Sequence, residues 1–111
     1  MTQGPDASPT EALRAAAAGE VLLVDVREDH EWQAGHAPYA VHVPLGSLQA
    51  DTLPRDRPVL ALCRLGGRSA SAAEALGAIG YDVRNTAGGM LAWQAAGLPV
   101  VVDGGGPGTV V

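Results

Sequence analysis

Two near-continuous apolar runs, "VLLVDV" at 21–26 and "VLALC" at 59–63, dominate the chain. Short Val- and Leu-rich runs bounded by turn residues predict strands covered on both faces, as in a parallel sheet. Two further pieces, "VHV" at 41–43 and "YDVRN" at 81–85, predict shorter strands, the first ended by Pro44. Between these strands the apolar spacing becomes helical. "SPTEALRAAAAGE" has Ser8 as N-cap, Pro9 in the first helical position, Glu11 three residues after the cap, and Gly19 as the stop. Ser69 caps "ASAAEALGAIG", which sets Ala72, Ala73, Leu76 and Ile79 on one stripe and ends at Gly80. "GGMLAWQAAG" predicts a short helix packing through Met90, Leu91 and Trp93. "EDHEWQAGHAPYA" predicts a polar loop or short helix broken by Gly35 and Pro38, "LGSLQADTLP" one or two helical turns, and "RDRP" a turn.

Short buried strands alternating with helices give an α/β domain, with a central, mainly parallel sheet flanked by helices on both faces. Residues 8–101 make that domain, residues 1–7 a flexible lead, and residues 102–111 a glycine-rich, loosely held tail. In such sheets the working site lies beyond the carboxyl ends of the strands. Cys63 stands at one of those ends, on the strand expected to be central.

Composition narrows the reading. The 111 residues fit one domain, and 47% hydrophobic against 17% charged residues supports a buried core. With two Trp, two Tyr and no Phe, that core is aliphatic. A net charge of -5 argues against nucleic acid or an anionic membrane as partner. Cys63 is the single cysteine, which excludes an internal disulfide framework and a multi-cysteine metal site. "MTQGPDASPT" lacks the basic start and apolar centre of a secretory signal, and no apolar run approaches membrane-spanning length. A cytoplasmic location is the expectation. All seven basic residues are arginine, and this beside abundant Ala and Gly fits a GC-rich bacterial genome.

Two of those arginines, Arg64 and Arg68, lie within five residues of Cys63. The thiolate is the reactive form of cysteine, and "CRLGGRS" supplies three ways to favour it. A helix starting near Ser69 turns unpaired N–H groups toward the loop. Gly66 and Gly67 let successive N–H groups converge on one point. Arg64 and Arg68 add permanent positive charge. A buried cysteine alone is as readily a small core residue. A core residue, however, has no use for two glycines and two arginines directly after it.

Four pieces in order, "LLVDVRE" (22–28), "EWQAGHAPYAVHVP" (31–44), "VLALCRLGGRSASAAEAL" (59–76) and "GYDVRNTAGGMLAWQAAGLPV" (80–100), resemble a single-domain rhodanese of the rhodanese-like sulfurtransferase family. The resemblance implies that Cys63 is the catalytic residue, taking sulfur from a donor such as thiosulfate as a persulfide and passing it to cyanide or a thiol. It further implies that Arg64, Leu65, Gly66, Gly67 and Arg68 bind the small anionic donor. The loop N–H groups of residues 64–68 would surround the outer sulfur, and the two arginines would hold sulfonate oxygens. Ser69, Asp25 and Arg27 are supporting residues. No metal or organic cofactor is implied, and a sulfur-relay protein is a candidate partner. The alternative is a persulfide carrier or interaction module loaded by a partner enzyme, with little thiosulfate activity.

The same fold resembles that of dual-specificity phosphatases, whose loop places five residues between Cys and Arg. Here four separate Cys63 from Arg68, and Leu62 precedes the cysteine where those enzymes have His. The shorter loop suits one sulfur atom better than a tetrahedral phosphate.

Asp25 and Arg27, two apart on a strand, share a face. They either shape the floor of the site or form a buried structural network, and the network weighs more. Glu28 and Glu31 read as solvated or structural, and His36, in "GHAP", as a turn stabiliser rather than a base, with His30 and His42 likewise structural. Two departures stand out: Tyr39 where the family usually has Gly, and Ala37 where it has a larger apolar residue. Tyr39 is strained if its φ is positive; otherwise the chain turns differently, with the ring at the site mouth.

Overall fold

A computed structural model describes residues 4–48 and 53–111. In chain order the elements are α1 (Pro9–Ala17), β1 (Leu22–Asp25), α2 (Asp29–Ala34), β2 (Val41–His42), a 3-10 turn (Leu45–Ser47), β3 (Val59–Leu62), α3 (Gly67–Ala78), β4 (Val83–Asn85) and α4 (Gly89–Ala95). The helical turns expected over 45–54 are seen as the Leu45–Ser47 turn; residues 49–52 lie outside the described residues.

The four strands form one parallel sheet in the order β2-β1-β3-β4. β3 is therefore interior, with Leu60 beside both Leu23 and Arg84. Its side chains alternate between two cores, as the period of a strand requires. Val59, Ala61 and Cys63 join Val24, Val26 and Val83 under the α3 residues Ala72, Ala73 and Leu76. Leu60 and Leu62 join Leu23 under Ala12 of α1 and Met90 and Trp93 of α4. Every residue of β3 is at most 1% exposed, which is why the run reads as continuously apolar.

α1 starts as its sequence predicts: Ser8 Oγ accepts the Glu11 N–H at 3.1 Å and Pro9 opens the helix. α3 starts differently. Ser69 is not its cap; Gly66, with φ 119°, is the N-cap, and its carbonyl accepts the Ala70 N–H at 3.0 Å. Glycine takes that left-handed conformation without a Cβ penalty, so the helix begins at Gly67 and carries Ser69 inside its first turn.

The expected lead and tail both make backbone contacts with the domain at described residues. Ala7 is fully buried and bridges Thr86 at the β4 end, its N–H donating to Asn85 O at 2.9 Å. The glycine-rich tail folds back instead of hanging free. Val101 exchanges hydrogen bonds with His36 (2.8 and 2.9 Å), and Thr109 N–H donates to Ala34 O at 2.9 Å. Glycine density here permits close approach: a Cβ on Gly108 would lie 2.7 Å from Gly35 Cα, and one on Gly35 would overlap the Thr109 backbone.

His36 and His42 stack on one shared ring system. His36 stacks on Trp32 at 3.7 Å, and its Nε2 pairs with Asp103 at 3.1 Å. His42 stacks on the same indole at 4.8 Å and donates from Nε2 to Arg27 O at 2.8 Å. Tyr39 adopts φ 67° and leaves its ring 65% exposed. It precedes the amino end of β2, whereas Cys63 follows the carboxyl end of β3, so the ring is not placed at the site mouth.

Candidate active site

β3 delivers Cys63 to the carboxyl edge of the sheet, and α3 closes over it. The residue is 1% exposed. Its Sγ accepts the Gly66 N–H at 3.0 Å and the Ser69 hydroxyl at 3.2 Å. The backbone N–H groups of Ser69 and Leu65 also favour the charged sulfur. Burial is the largest single influence and pushes the thiol up, but the Ser69 hydroxyl and the three N–H groups outweigh it. The thiol is thus held below its ordinary value, which favours thiolate. Ser69, one position past the 64–68 loop, thus supplies the side-chain donor to the sulfur.

The loop is held open by its neighbours. Met90 and Leu91, in the first turn of α4, donate their N–H groups to the carbonyls of Cys63 (2.8 Å) and Arg64 (3.0 Å). Those carbonyls are thereby committed to α4 rather than facing the sulfur. The approach is so close that a Cβ on Gly89 would lie 2.6 Å from Arg64 C, and Gly89 has φ +60°. From β4, Asn85 Nδ2 donates to Gly66 O at 3.1 Å. The family's "GG" before the last helix is a contact surface for the cysteine loop.

The two arginines part company. Arg68 donates both Nη groups to the Glu31 carboxylate, at 2.6 and 2.9 Å. Glu31 also accepts the Glu28 N–H at 2.9 Å, and Arg68 leads in holding its carboxyl down at about 2. The charge of Arg68 is therefore spent on a buried carboxylate. Arg64 donates only its Nε, to the Val111 main-chain oxygen at 3.1 Å; its Nη groups have no partner among the described residues.

Asp25 and Arg27 form the buried network that their spacing allowed. Both side chains are fully buried, bonded through Arg27 Nη2 to Asp25 Oδ2 at 2.8 Å, and Arg27 Nη2 also donates to Gly35 O at 2.8 Å. Helix α2 is therefore pinned at both ends, by Glu31 to the cysteine loop and by Gly35 to β1.

A family described as "Rhodanese-like domain" matches residues 8–96. The chain belongs to the rhodanese-like family. A Bacillus subtilis protein named putative sulfurtransferase YtwF is 38% identical, over 72% of this chain and 80% of its own length. A Mycobacterium tuberculosis protein named HTH-type transcriptional regulator Rv0324 is 45% identical over 87% of this chain. The chain spans only 44% of that regulator's length. A rhodanese-related protein from Thermoplasma volcanium superimposes with a TM-score of 0.81 at 26% identity, over 90% of this chain and all of its own.

Family membership and a relative named a sulfurtransferase give this rhodanese-like domain a sulfurtransferase-type role. Among the described residues no helix is long and apolar enough to cross a membrane. Of the residues singled out by sequence, the structure brings Gly66 and Ser69 onto the Cys63 sulfur. It sets Arg64 toward the tail, Arg68 toward α2, and Asp25 and Arg27 into the wall behind. Glu31 and Asn85 were not singled out for the site. Asn85 carried a positional signal, at the end of a predicted strand; Glu31 carried none, since its partner is 37 residues away.

Proposed function

We propose that this rhodanese-like domain transfers sulfane sulfur through a Cys63 persulfide. The observation that carries the proposal is the buried Cys63 sulfur accepting the Gly66 N–H and the Ser69 hydroxyl, with its thiol held below the ordinary value. The Cys63 thiolate attacks the outer sulfur of a donor such as thiosulfate. A sulfur–sulfur bond forms to Cys63 as the donor's own breaks, and sulfite leaves with the bonding pair. The charge ends on the outer sulfur of the persulfide. Gly67 and Arg68, in the first turn of α3, have N–H groups without helical acceptors, and these are suited to that sulfur. Cyanide or a thiolate then attacks the outer sulfur, and Cys63 leaves as the thiolate. No metal or organic cofactor takes part.

The site also has a specific feature that favours the carrier reading. Because Glu31 neutralises Arg68, the loop has less charge for a dianionic donor than its sequence implies. A persulfide handed over by a partner enzyme carries less charge and needs less of it. The relative named as a transcriptional regulator, of which this chain spans 44%, supports a module within a larger protein as one setting for such a carrier.

Mass spectrometry of the intact protein after thiosulfate treatment tests the reaction. An adduct of about 32 Da, one sulfur, is expected on the wild type and is absent from Cys63→Ser. Loading by a cysteine persulfide donor but not by thiosulfate selects the carrier. Loading by neither removes the proposal.

A further inference from the structure

A buried amide stands beside the cysteine loop with its oxygen unused. Asn85 ends β4 and is 6% exposed. Its main chain is fixed by pairing with Ala61 and by the Ala7 N–H, which donates to its carbonyl at 2.9 Å. Among the described residues its side chain makes one hydrogen bond, from Nδ2 to Gly66 O at 3.1 Å. Gly66 O can only accept, so the amide must present its nitrogen there. That leaves Oδ1 buried with no partner among the described residues. An orphaned acceptor of this kind is destabilising, and an apolar side chain of similar shape would remove it. Val83, two residues earlier on the same face of β4, is apolar and fully buried in the core under α3. What sets Asn85 apart is its bond to the loop.

That bond decides where another proton goes. Ser69 Oγ lies 3.2 Å from Cys63 Sγ and 3.3 Å from Gly66 O, so its one hydroxyl proton has two acceptors in reach. Gly66 O has two lone pairs; the Ala70 N–H takes one at 3.0 Å and Asn85 Nδ2 takes the other. With both occupied, the hydroxyl is left to the sulfur. Without the amide, one lone pair of Gly66 O falls open within reach of Ser69 Oγ, and the hydroxyl can turn to it and away from Sγ.

We propose that Asn85 is a positioning residue for the reaction at Cys63: by occupying Gly66 O it directs the Ser69 hydroxyl onto the sulfur. The proposal rests on the sulfur-transfer reading, in which the Cys63 thiolate is the group that takes up sulfur. Asn85 acts through Gly66 and Ser69, and its side-chain bond goes to the loop carbonyl, not to the sulfur. The orphaned Oδ1 is then the stability given up for a bond that serves the thiolate, a local violation of the kind found at working sites.

Asn85→Leu removes the amide while filling its space, so that water does not replace Nδ2. Asn85→Val, suited to a strand end, serves if the leucine variant does not fold. The readout is the rate of Cys63 alkylation by iodoacetamide across pH, with Tm measured alongside to establish that each variant is folded. Asn85→Leu is expected to move the inflection up, leaving about three- to tenfold less thiolate below it, the upper figure being complete loss of the hydroxyl bond. In the Ser69→Ala background the same substitution should move nothing further, because no hydroxyl remains to be redirected. An unchanged inflection in Asn85→Leu, whatever happens to Tm, overturns the proposal and leaves Asn85 a structural residue. An equal shift in the Ser69→Ala background overturns it too, because the amide would then act on the loop backbone instead. No sulfur donor enters this experiment. Persulfide loading by thiosulfate reports separately on the sulfur-transfer reading, so each can fail alone.

Discussion

Replacing Ser69 by alanine removes one hydroxyl from the cradle and leaves its N–H groups in place. The hydroxyl has one proton and two acceptors within reach, Cys63 Sγ at 3.2 Å and Gly66 O at 3.3 Å. Gly66 O already accepts the Ala70 N–H at 3.0 Å and Asn85 Nδ2 at 3.1 Å, so its two lone pairs are occupied. The sulfur, once ionised, is the charged acceptor, and a charge-assisted bond is the stronger one. The proton therefore goes to Sγ. Such a bond contributes ~1.5–3 kcal/mol in general, and a sulfur acceptor belongs at the lower end. Its loss leaves roughly tenfold less thiolate at any pH below the inflection. The rate of alkylation by iodoacetamide across pH reads this directly. Wild type should inflect below the ordinary thiol value and Ser69→Ala clearly above wild type, with the same limiting rate at high pH. The stability linkage has a definite sign. Because the folded-state value is lowered, the thiolate's contribution is fully present above the ordinary thiol value and is lost as pH falls through the folded-state value. An unchanged inflection in Ser69→Ala would mean the hydroxyl bonds to Gly66 O, and the reasoning about the cradle would be wrong.

Two further outcomes follow from the same geometry. Glu31, held at about 2 first by Arg68, contributes stability present above its unfolded value and lost as pH falls through the folded one, so acid should unfold the domain between about pH 4.5 and 2. Glu31→Gln should cost ~1–3 kcal/mol at neutral pH, discounted for the solvent reaching Arg68, and flatten that acid limb; a denaturant series over pH that shows the same slope in both proteins refutes it. Tyr39→Gly should raise Tm, because relief of the left-handed conformation (~1–2 kcal/mol) outweighs the backbone entropy glycine adds (~0.5–1 kcal/mol); a lower Tm would show that the exposed ring is doing more than filling solvent.

What the residues alone disclosed follows the range of the interactions involved. β1 and β3 are buried on both faces, and that condition is written in their composition. The Ser8–Pro9 start of α1 is a local bond between residues three apart, and it too is written in the sequence. Ser69 defeated the same reading. A serine ahead of an apolar helical stripe is the ordinary sign of a cap, but Gly66 could take the left-handed cap and move the serine into the first turn. There its hydroxyl faces the sulfur, so a change of three positions turns a capping residue into part of the cradle. The tail was misjudged for a related reason: glycine reads as freedom locally, while Gly35 and Gly108 here allow two backbones to touch.

The arginines show most clearly where local reading stops. Arg64 and Arg68 flank the same three loop residues in sequence, and nothing near them distinguishes one from the other. The difference arises from α2 and from the tail, segments tens of residues away that the fold brings to either side of the loop. Glu31 pairs with Arg68, and Arg64 Nε donates to the Val111 main-chain oxygen. A count of cations in the loop therefore overstates the charge left for a dianion, because the Glu31 carboxylate that offsets Arg68 lies outside the cysteine loop. Arg68→Ala should accordingly appear first as a lower Tm, because it leaves the buried Glu31 carboxylate without its partner.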